Sequence, residues 1–304
     1  MRKMLLILTA LVVAASLLAA PVVAQMQTQK QTPGPPKILQ IIREEVKPGK
    51  TAAHDKHEAA WTQALVRAKF PAYTLTVTTV TGPSESWFLS GFDSWAEMAK
   101  VEKAVENGPS GAVMQQFGPA EAEYVNNTRS LVASYVEDLS YRPNFNIGEY
   151  RYFMVDMVRV KPGYGNAFAD RQKLINAAHE KAGLDEHMVV YTINNGAPFG
   201  TYLIFQPLKS LEEVDDMAKM HGKDSAYSKA YSEEDQKKMQ EFAKEGLIST
   251  QRDFVAFRPS MSYLPKDVVA AAPDFWTPKK TMAASGGTVA GNPKPAAKKE
   301  SAKQ

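Results

Sequence analysis

Three groups of side chains in this 304-residue sequence have the types and spacing to do chemistry. The first is His54, His57 and Trp61, whose intervals of three and four put them on one stripe of a helix. Two imidazoles on an inward stripe are unusual, because burial disfavours the charged ring and demands hydrogen-bond partners. They suit a pair of metal or heme ligands, or a general base. Against that, the chain has no cysteine and no HExxH acid to complete a ligand set, and a second copy of the same motif carries Phe168 and Arg171 at these stations. The sequence is therefore read as holding no metal here, with the histidines packed or partly exposed.

The second group is Asp156, flanked in strand alternation by Met154 and Val158, with His187 as its nearest plausible partner. The residue corresponding to Asp156 in the other copy is Ile42, so an apolar slot has become acidic once. A desolvated, unpaired carboxylate there would have a raised pKa, as a general base needs, whereas a paired or wetted aspartate would be ordinary. The expectation is a ligand pocket with Asp156 and His187 at its wall. The third group is Arg142 and Arg258, each between an aromatic residue and a proline. A symmetric pair could clamp a carboxylate through bidentate contacts, or each could tie a strand to a neighbouring acid and stack on its aromatic neighbour.

What must position these residues is a unit written twice. Val46-Lys47-Pro48-Gly49 is echoed by Val160-Lys161-Pro162-Gly163 at a spacing of 114, and Tyr141-Arg142-Pro143 by Phe257-Arg258-Pro259 at 116. The first unit, residues 38–147, reads as a strand over 38–46, a helix over 51–68, a hairpin over 73–92, a capped helix after Ser94 with Glu97 three residues on, a helix over 120–133 and a final strand over 136–143. The second, residues 148–263, repeats each step, with Ser210 and Glu213 as its cap and a last strand over 251–259. The order is β-α-β-β-α-(α)-β in both, a ferredoxin-like α+β unit whose sheet has one helix-covered face and one face still needing a partner.

The ends read differently. Residues 1–24, with Arg2 and Lys3 ahead of an apolar run and Val22-Val23-Ala24 before Gln25, form a secretory signal peptide; 25–37 is a linker, and 264–304 an Ala/Gly/Lys/Pro-rich disordered tail. The formal net charge of +3 sits at these ends: without Arg2, Lys3, Lys30, Lys37 and the six lysines and Glu300 beyond residue 277, residues 38–277 carry −6. An acidic folded part excludes a nucleic-acid footprint. The basic tail is read as solvated, with at most weak contact to anionic surfaces, and no membrane span is expected after cleavage.

The strand, Lys-Pro-Gly turn, amphipathic helix and hairpin resemble the dimeric α+β barrel superfamily, which includes antibiotic-biosynthesis-type and heme-degrading monooxygenases. The resemblance covers residues 38–263 and implies two such sheets packed into a barrel, here within one chain as an intramolecular pseudo-dimer. The Asn, Trp and His set of the heme-degrading families has no residue-by-residue match, so no catalytic position carries over and the cofactor is unknown. The function expected is a secreted or periplasmic barrel binding a small apolar or aromatic ligand. The alternatives are a cofactor-independent or heme-handling monooxygenase-like enzyme and a noncatalytic assembly protein. A hollow barrel would favour the first two and a filled one the third.

Overall fold

The computed structural model describes residues 34–277; residues 1–24, read above as a signal peptide, and the tail beyond Thr277 lie outside the described residues. The first strand, β1 (Ile38–Val46), is followed by helix α1 (Thr51–Arg67), strands β2 (Thr74–Thr79) and β3 (Glu85–Phe92), helices α2 (Trp95–Asn107) and α3 (Pro109–Glu121), and β4 (Val125–Tyr135). After a crossing segment come β5 (Tyr152–Val160), α4 (Gly165–Ala182), β6 (Val189–Asn195), β7 (Thr201–Leu208), α5 (Glu212–Met220), α6 (Glu233–Glu241) and β8 (Leu247–Phe257). The eight strands form one closed barrel in the order β1-β3-β2-β8-β5-β7-β6-β4. This is the mixed helix-and-strand barrel that the resemblance implies.

Alternation along the strands sorts the side chains. Leu39 and Ile41, Val77, Trp87 and Leu89, Leu131, Val155, Leu203 and Val255 join one buried cluster, the barrel interior. The intervening outward positions meet the helices, as where Phe168 of α4 packs with Val158, Val160, Val190 and Ile204. Closure comes from two seams: β2 pairs with β8 from Val77↔Phe257 to Thr79↔Val255, and β4 with β6 from Val132↔Asn195 to Tyr135↔Tyr191. A glycine is required beside the second seam. Gly196 has φ +89, and a Cβ there would overlap the Ser130 carbonyl and Leu131.

Two sequence expectations are corrected. The last strand of the first unit is Val125–Tyr135, not 136–143, and the helix before it is Pro109–Glu121, not 120–133. The polar run Asn126 to Ser130 is exposed strand reaching past the covering helices, so it lacks the apolar alternation that marks a half-buried strand. The second echo is therefore misaligned. β4 and β8 begin 122 residues apart, at Val125 and Leu247. The true counterparts are Tyr141 and Tyr263, each forming an isolated bridge, to Met188 and Thr74 respectively.

The disordered tail is also corrected between residues 264 and 277. Lys266–Ala271 (α7) and Pro273–Trp276 (α8) are helical, and Val268 and Trp276 are buried. They have an apolar surface to cover, the open end of the barrel. Trp276 packs on Phe257, and its Nε1 donates to the Gly148 carbonyl at 2.8 Å. Gly148 lies so close beneath α7 that a Cβ would overlap the Val268 carbonyl. Trp276→Ala is expected to cost about 3 to 5 kcal/mol in urea denaturation; a loss under about 1 kcal/mol would mean that this segment rests on the barrel without supporting it.

Candidate functional site

Two places in the fold bring chemistry-bearing residues together, and both are built from elements distant in sequence. The first is the inside of the barrel. At one end Arg43, placed inward opposite Trp87 in the β1–β3 register, donates from Nε and Nη2 to Glu85 Oε2 at 2.9 and 2.5 Å. Trp87 Nε1 donates to the same oxygen at 2.8 Å, and Arg129 pairs with the other. Asp253 lies 3.7 Å from Arg43 and accepts from Gln251. Arg43, Glu85 and Asp253 are buried and half-exposed Arg129 closes over them, so that the buried ions of this plug are paired, as they must be if their desolvation is to be offset.

At the other end the interior is not filled. A cavity of about 410 Å³ is walled by Leu39, Leu75, Leu89, Phe153, Val189 and Phe205, with Asp93, Asn146 and Asp267 among its polar lining. Tyr191 also lines it; its hydroxyl donates to the Pro36 carbonyl at 3.0 Å, and burial pushes the phenol far above its ordinary range, so it stays neutral. Leu264 and Val268 close part of the mouth.

The second place lies outside the barrel, between α1, the outer face of β1 and the end of α3. His54 is fully buried, with Nε2 3.1 Å from Glu44 Oε2 and 3.3 Å from Glu121 Oε1. Glu58 is one helical turn beyond His54 and buried with it, and His57 Nε2 is 3.3 Å from Glu121 Oε2. One donor atom from each of Glu44, His54, Glu58 and Glu121 falls within 4.8 Å of the others. Burial first, and the contact with Glu121 second, push Glu58 up to about 9. Burial pulls the His54 ring down, but its contacts with Glu121 and Glu44 win and hold it up at about 10. Glu58 Oε1, both Glu121 oxygens, His54 Nδ1 and His57 Nε2 are sealed from solvent with no partner in hydrogen-bond geometry.

The sequence candidates fare unevenly. His54, His57 and Trp61 are brought together, with the His57 ring edge-on or tilted against Trp61, Phe117 and Tyr124. The acids beside them are Glu44, Glu58 and Glu121, which sequence reasoning passed over; only Glu58, at the i+4 position from His54, was visible locally. Asp156 is not at the cavity wall. It faces outward and forms a bidentate pair with Arg252, both contacts at 2.7 Å. His187 is elsewhere, its Nδ1 2.6 Å from the Arg142 carbonyl and its ring against Phe145. Arg142 and Arg258 are not a symmetric clamp. Arg142 binds Asp185 and Glu180 at the surface, and Arg258 donates to Thr78 Oγ1 at 2.6 Å.

A further buried group, also unforeseen, joins α4 to the loop before β6. Glu186 Oε2 accepts from His179 Nε2 at 2.9 Å and Gln206 Nε2 at 3.1 Å, while His221 Nε2 lies 2.9 Å from Oε1. Every oxygen is satisfied, so this group is read as structural.

No protein-family model matches the chain, and no curated protein matches it. Solved structures do. A provisionally named monooxygenase of Fusobacterium nucleatum superposes at a TM-score of 0.48 and 10% identity, over 73% of this chain and 93% of that one. An anthrone oxidase-like protein gives 0.47 and 10%, over 73% and 92%. A chlorite dismutase mutant from Candidatus Nitrospira defluvii gives 0.40 and 9%, over 78% and 95%. Likeness at this level carries no argument about activity, which rests on the residues above.

The Glu186 group gives a pH dependence. Burial would raise this carboxyl, but hydrogen bonds from His179 and His221 outweigh it and hold it at about 2, below the usual 4.5. A depressed acid contributes stability that is fully present above its unfolded pKa and lost as pH falls towards the folded one. Glu186→Gln is therefore expected to cost roughly 2 to 3 kcal/mol at pH 7. In urea titrations the gap from wild type should narrow below pH 4.5 and close near pH 2. A gap that stays constant would show that the ionised carboxylate contributes nothing.

Proposed function

We propose that this chain is a small-ligand-binding protein, a tandem pseudo-dimer whose two β-α-β-β-α-β units close around one apolar cavity. The supporting observation is the asymmetry of the barrel interior. The Arg43–Glu85–Arg129–Asp253 network fills one end, while the other keeps a cavity of about 410 Å³ within apolar and aromatic walls. That volume is in the range of about 300 to 1,000 Å³ typical of small-molecule sites, and a few polar groups at an apolar pocket are what orient such a ligand. The ligand class that fits is a small apolar or aromatic molecule. The proposal keeps the secreted or periplasmic address read from Met1–Ala24. No partner beyond the ligand is proposed, and an acidic folded part gives nucleic acid no footprint.

A monooxygenase-like enzyme would use the same cavity, and the two differ in what they return: a binder releases its ligand unchanged, an oxygenase releases it oxidised. Mass analysis of the ligand carried by protein purified from its native host, before and after aerobic incubation, separates them. The cavity itself is tested with the full chain and the fluorescent probe 1-anilinonaphthalene-8-sulfonate. Leu89→Trp, which fills the void from β3, is expected to weaken probe binding at least about tenfold while the far-ultraviolet circular dichroism stays that of wild type. Unchanged binding in both Leu89→Trp and Phe205→Trp would sink the proposal.

A further inference from the structure

The helix–sheet junction outside the barrel poses a separate problem. Three carboxylates, Glu44, Glu58 and Glu121, are buried around a single fully buried imidazole, His54. Burying charge costs several kcal/mol per ion unless it is paired and hydrogen-bonded. Here the pairing is incomplete: Glu58, only 4% exposed, has one oxygen without a partner, and neither oxygen of Glu121 has one in hydrogen-bond geometry. The fold does not require this arrangement. At the corresponding stations 114 residues on, the same contact is made by Phe168 for His54, Gln172 for Glu58 and Val158 for Glu44, all buried.

We propose that Glu44, His54, Glu58 and Glu121 form a site for one divalent first-row transition-metal ion, independent of the barrel cavity. The geometry is close to a ligand shell already. Tetrahedral donors at 2.0 to 2.2 Å from an ion lie about 3.4 Å from one another, and His54 Nε2 is 3.1 Å from Glu44 Oε2 and 3.3 Å from Glu121 Oε1. All four donors fall within 4.8 Å, so modest rotation of Glu58 completes the shell. A metal-bound histidine orients its second nitrogen on an outer acceptor, and Asp55 Oδ1 stands 3.8 Å from His54 Nδ1. One imidazole with three carboxylates is a borderline-to-hard set that suits Zn²⁺, Mn²⁺ or Fe²⁺; Mg²⁺ and Ca²⁺ prefer all-oxygen shells of higher coordination number. Four protein ligands leave no open position, so the ion is structural, clamping α1 to β1 and the end of α3.

The test uses the untagged full chain, stripped with a chelator and returned to ZnCl₂, CoCl₂ or MgCl₂. The proposal expects about one equivalent of Zn²⁺ or Co²⁺ to be retained on gel filtration, and the Tm to rise by at least about 5 °C at a hundredfold excess over Kd. Co²⁺ should give the visible bands of a tetrahedral site, and Mg²⁺ should do nothing. Glu58→Gln is isosteric and removes one carboxylate ligand, so it should fold, shown by far-ultraviolet circular dichroism like that of wild type, and lose the ion; His54→Ala should lose it too. His221→Ala, in the other His–Glu group, should bind as wild type. No retention and no Tm rise with Zn²⁺ or Co²⁺ would overturn the proposal. So would retention in Glu58→Gln, or loss in His221→Ala.

Discussion

The structure depends on barrel closure. A four-stranded sheet with helices on one face has an apolar second face and two edges whose backbone groups lack partners, and an exposed edge invites pairing with another chain. The β2–β8 and β4–β6 seams remove both edges and place the two apolar faces around one interior. Closure also fixes direction. Once eight strands are in register, odd positions of β1 face the interior and even ones the helices, and a one-residue slip would exchange the two sets along the whole strand. Leu39, Ile41 and Arg43 thus reach the barrel axis while Glu44 reaches His54. Adjacent residues of one strand serve two separate sites.

An eight-stranded barrel has an interior just wide enough for side chains to fill or to hold one small ligand. Here one end is filled and the other keeps a cavity, and the polarity of the filling decides where. Ionic groups can be buried only as a matched set, and Glu85 sits among Arg43, Arg129 and the Trp87 N–H, with every contact at hydrogen-bond distance. That end has no room to adapt without leaving a charge unpaired. The apolar end has no such constraint, and its cover comes from separate segments: Gly34 to Pro36 before β1, Phe145 in the crossing segment, and Leu264 and Val268 after β8. Segments held mostly by apolar contact can part at lower cost than a charged plug, so access to the cavity belongs at this end.

The fold was legible where local chemistry repeats. The paired Lys-Pro-Gly turns, the long helices after them and the hairpins lie where the pattern puts them, because their amphipathicity is set within a few residues. β4 was not legible, since Asn126 to Ser130 is strand exposed to water, without apolar alternation, and was read as part of a helix over 120–133. Losing it forced the second echo onto Arg142 and Arg258, while the bridges of Tyr141 and Tyr263 show the true correspondence. The capping residues were partly legible. Ser94 accepts from the Glu97 amide as expected, but the complete capping box of the second unit is Ser232 with Asp235, not Ser210 with Glu213. The helix–sheet cluster was half legible: His54 and His57 share a stripe, but Glu44 and Glu121 arrive from a strand and a helix end that only tertiary structure brings near.

Departures between the two halves mean different things according to what lies across the strand. Asp156 replaces Ile42, and the residue opposite changes with it: Ile42 faces Ser130 on β4, while Asp156 faces Arg252 on β8. The exchange is complete within one cross-strand pair, the ordinary unit of sheet stabilisation, so the acid is accounted for. Glu44 replaces Val158 with no such compensation. It faces Thr128, and Val158 faces Thr250, so the cross-strand neighbour is threonine in both halves. The carboxylate of Glu44 is answered instead from the helix above, by His54 where the other half has Phe168. Charge that a sheet neutralises within its own ladder stabilises the sheet; charge that recruits a second element, and still leaves Glu58 Oε1 without a hydrogen-bond partner, is what the proposed cation would neutralise.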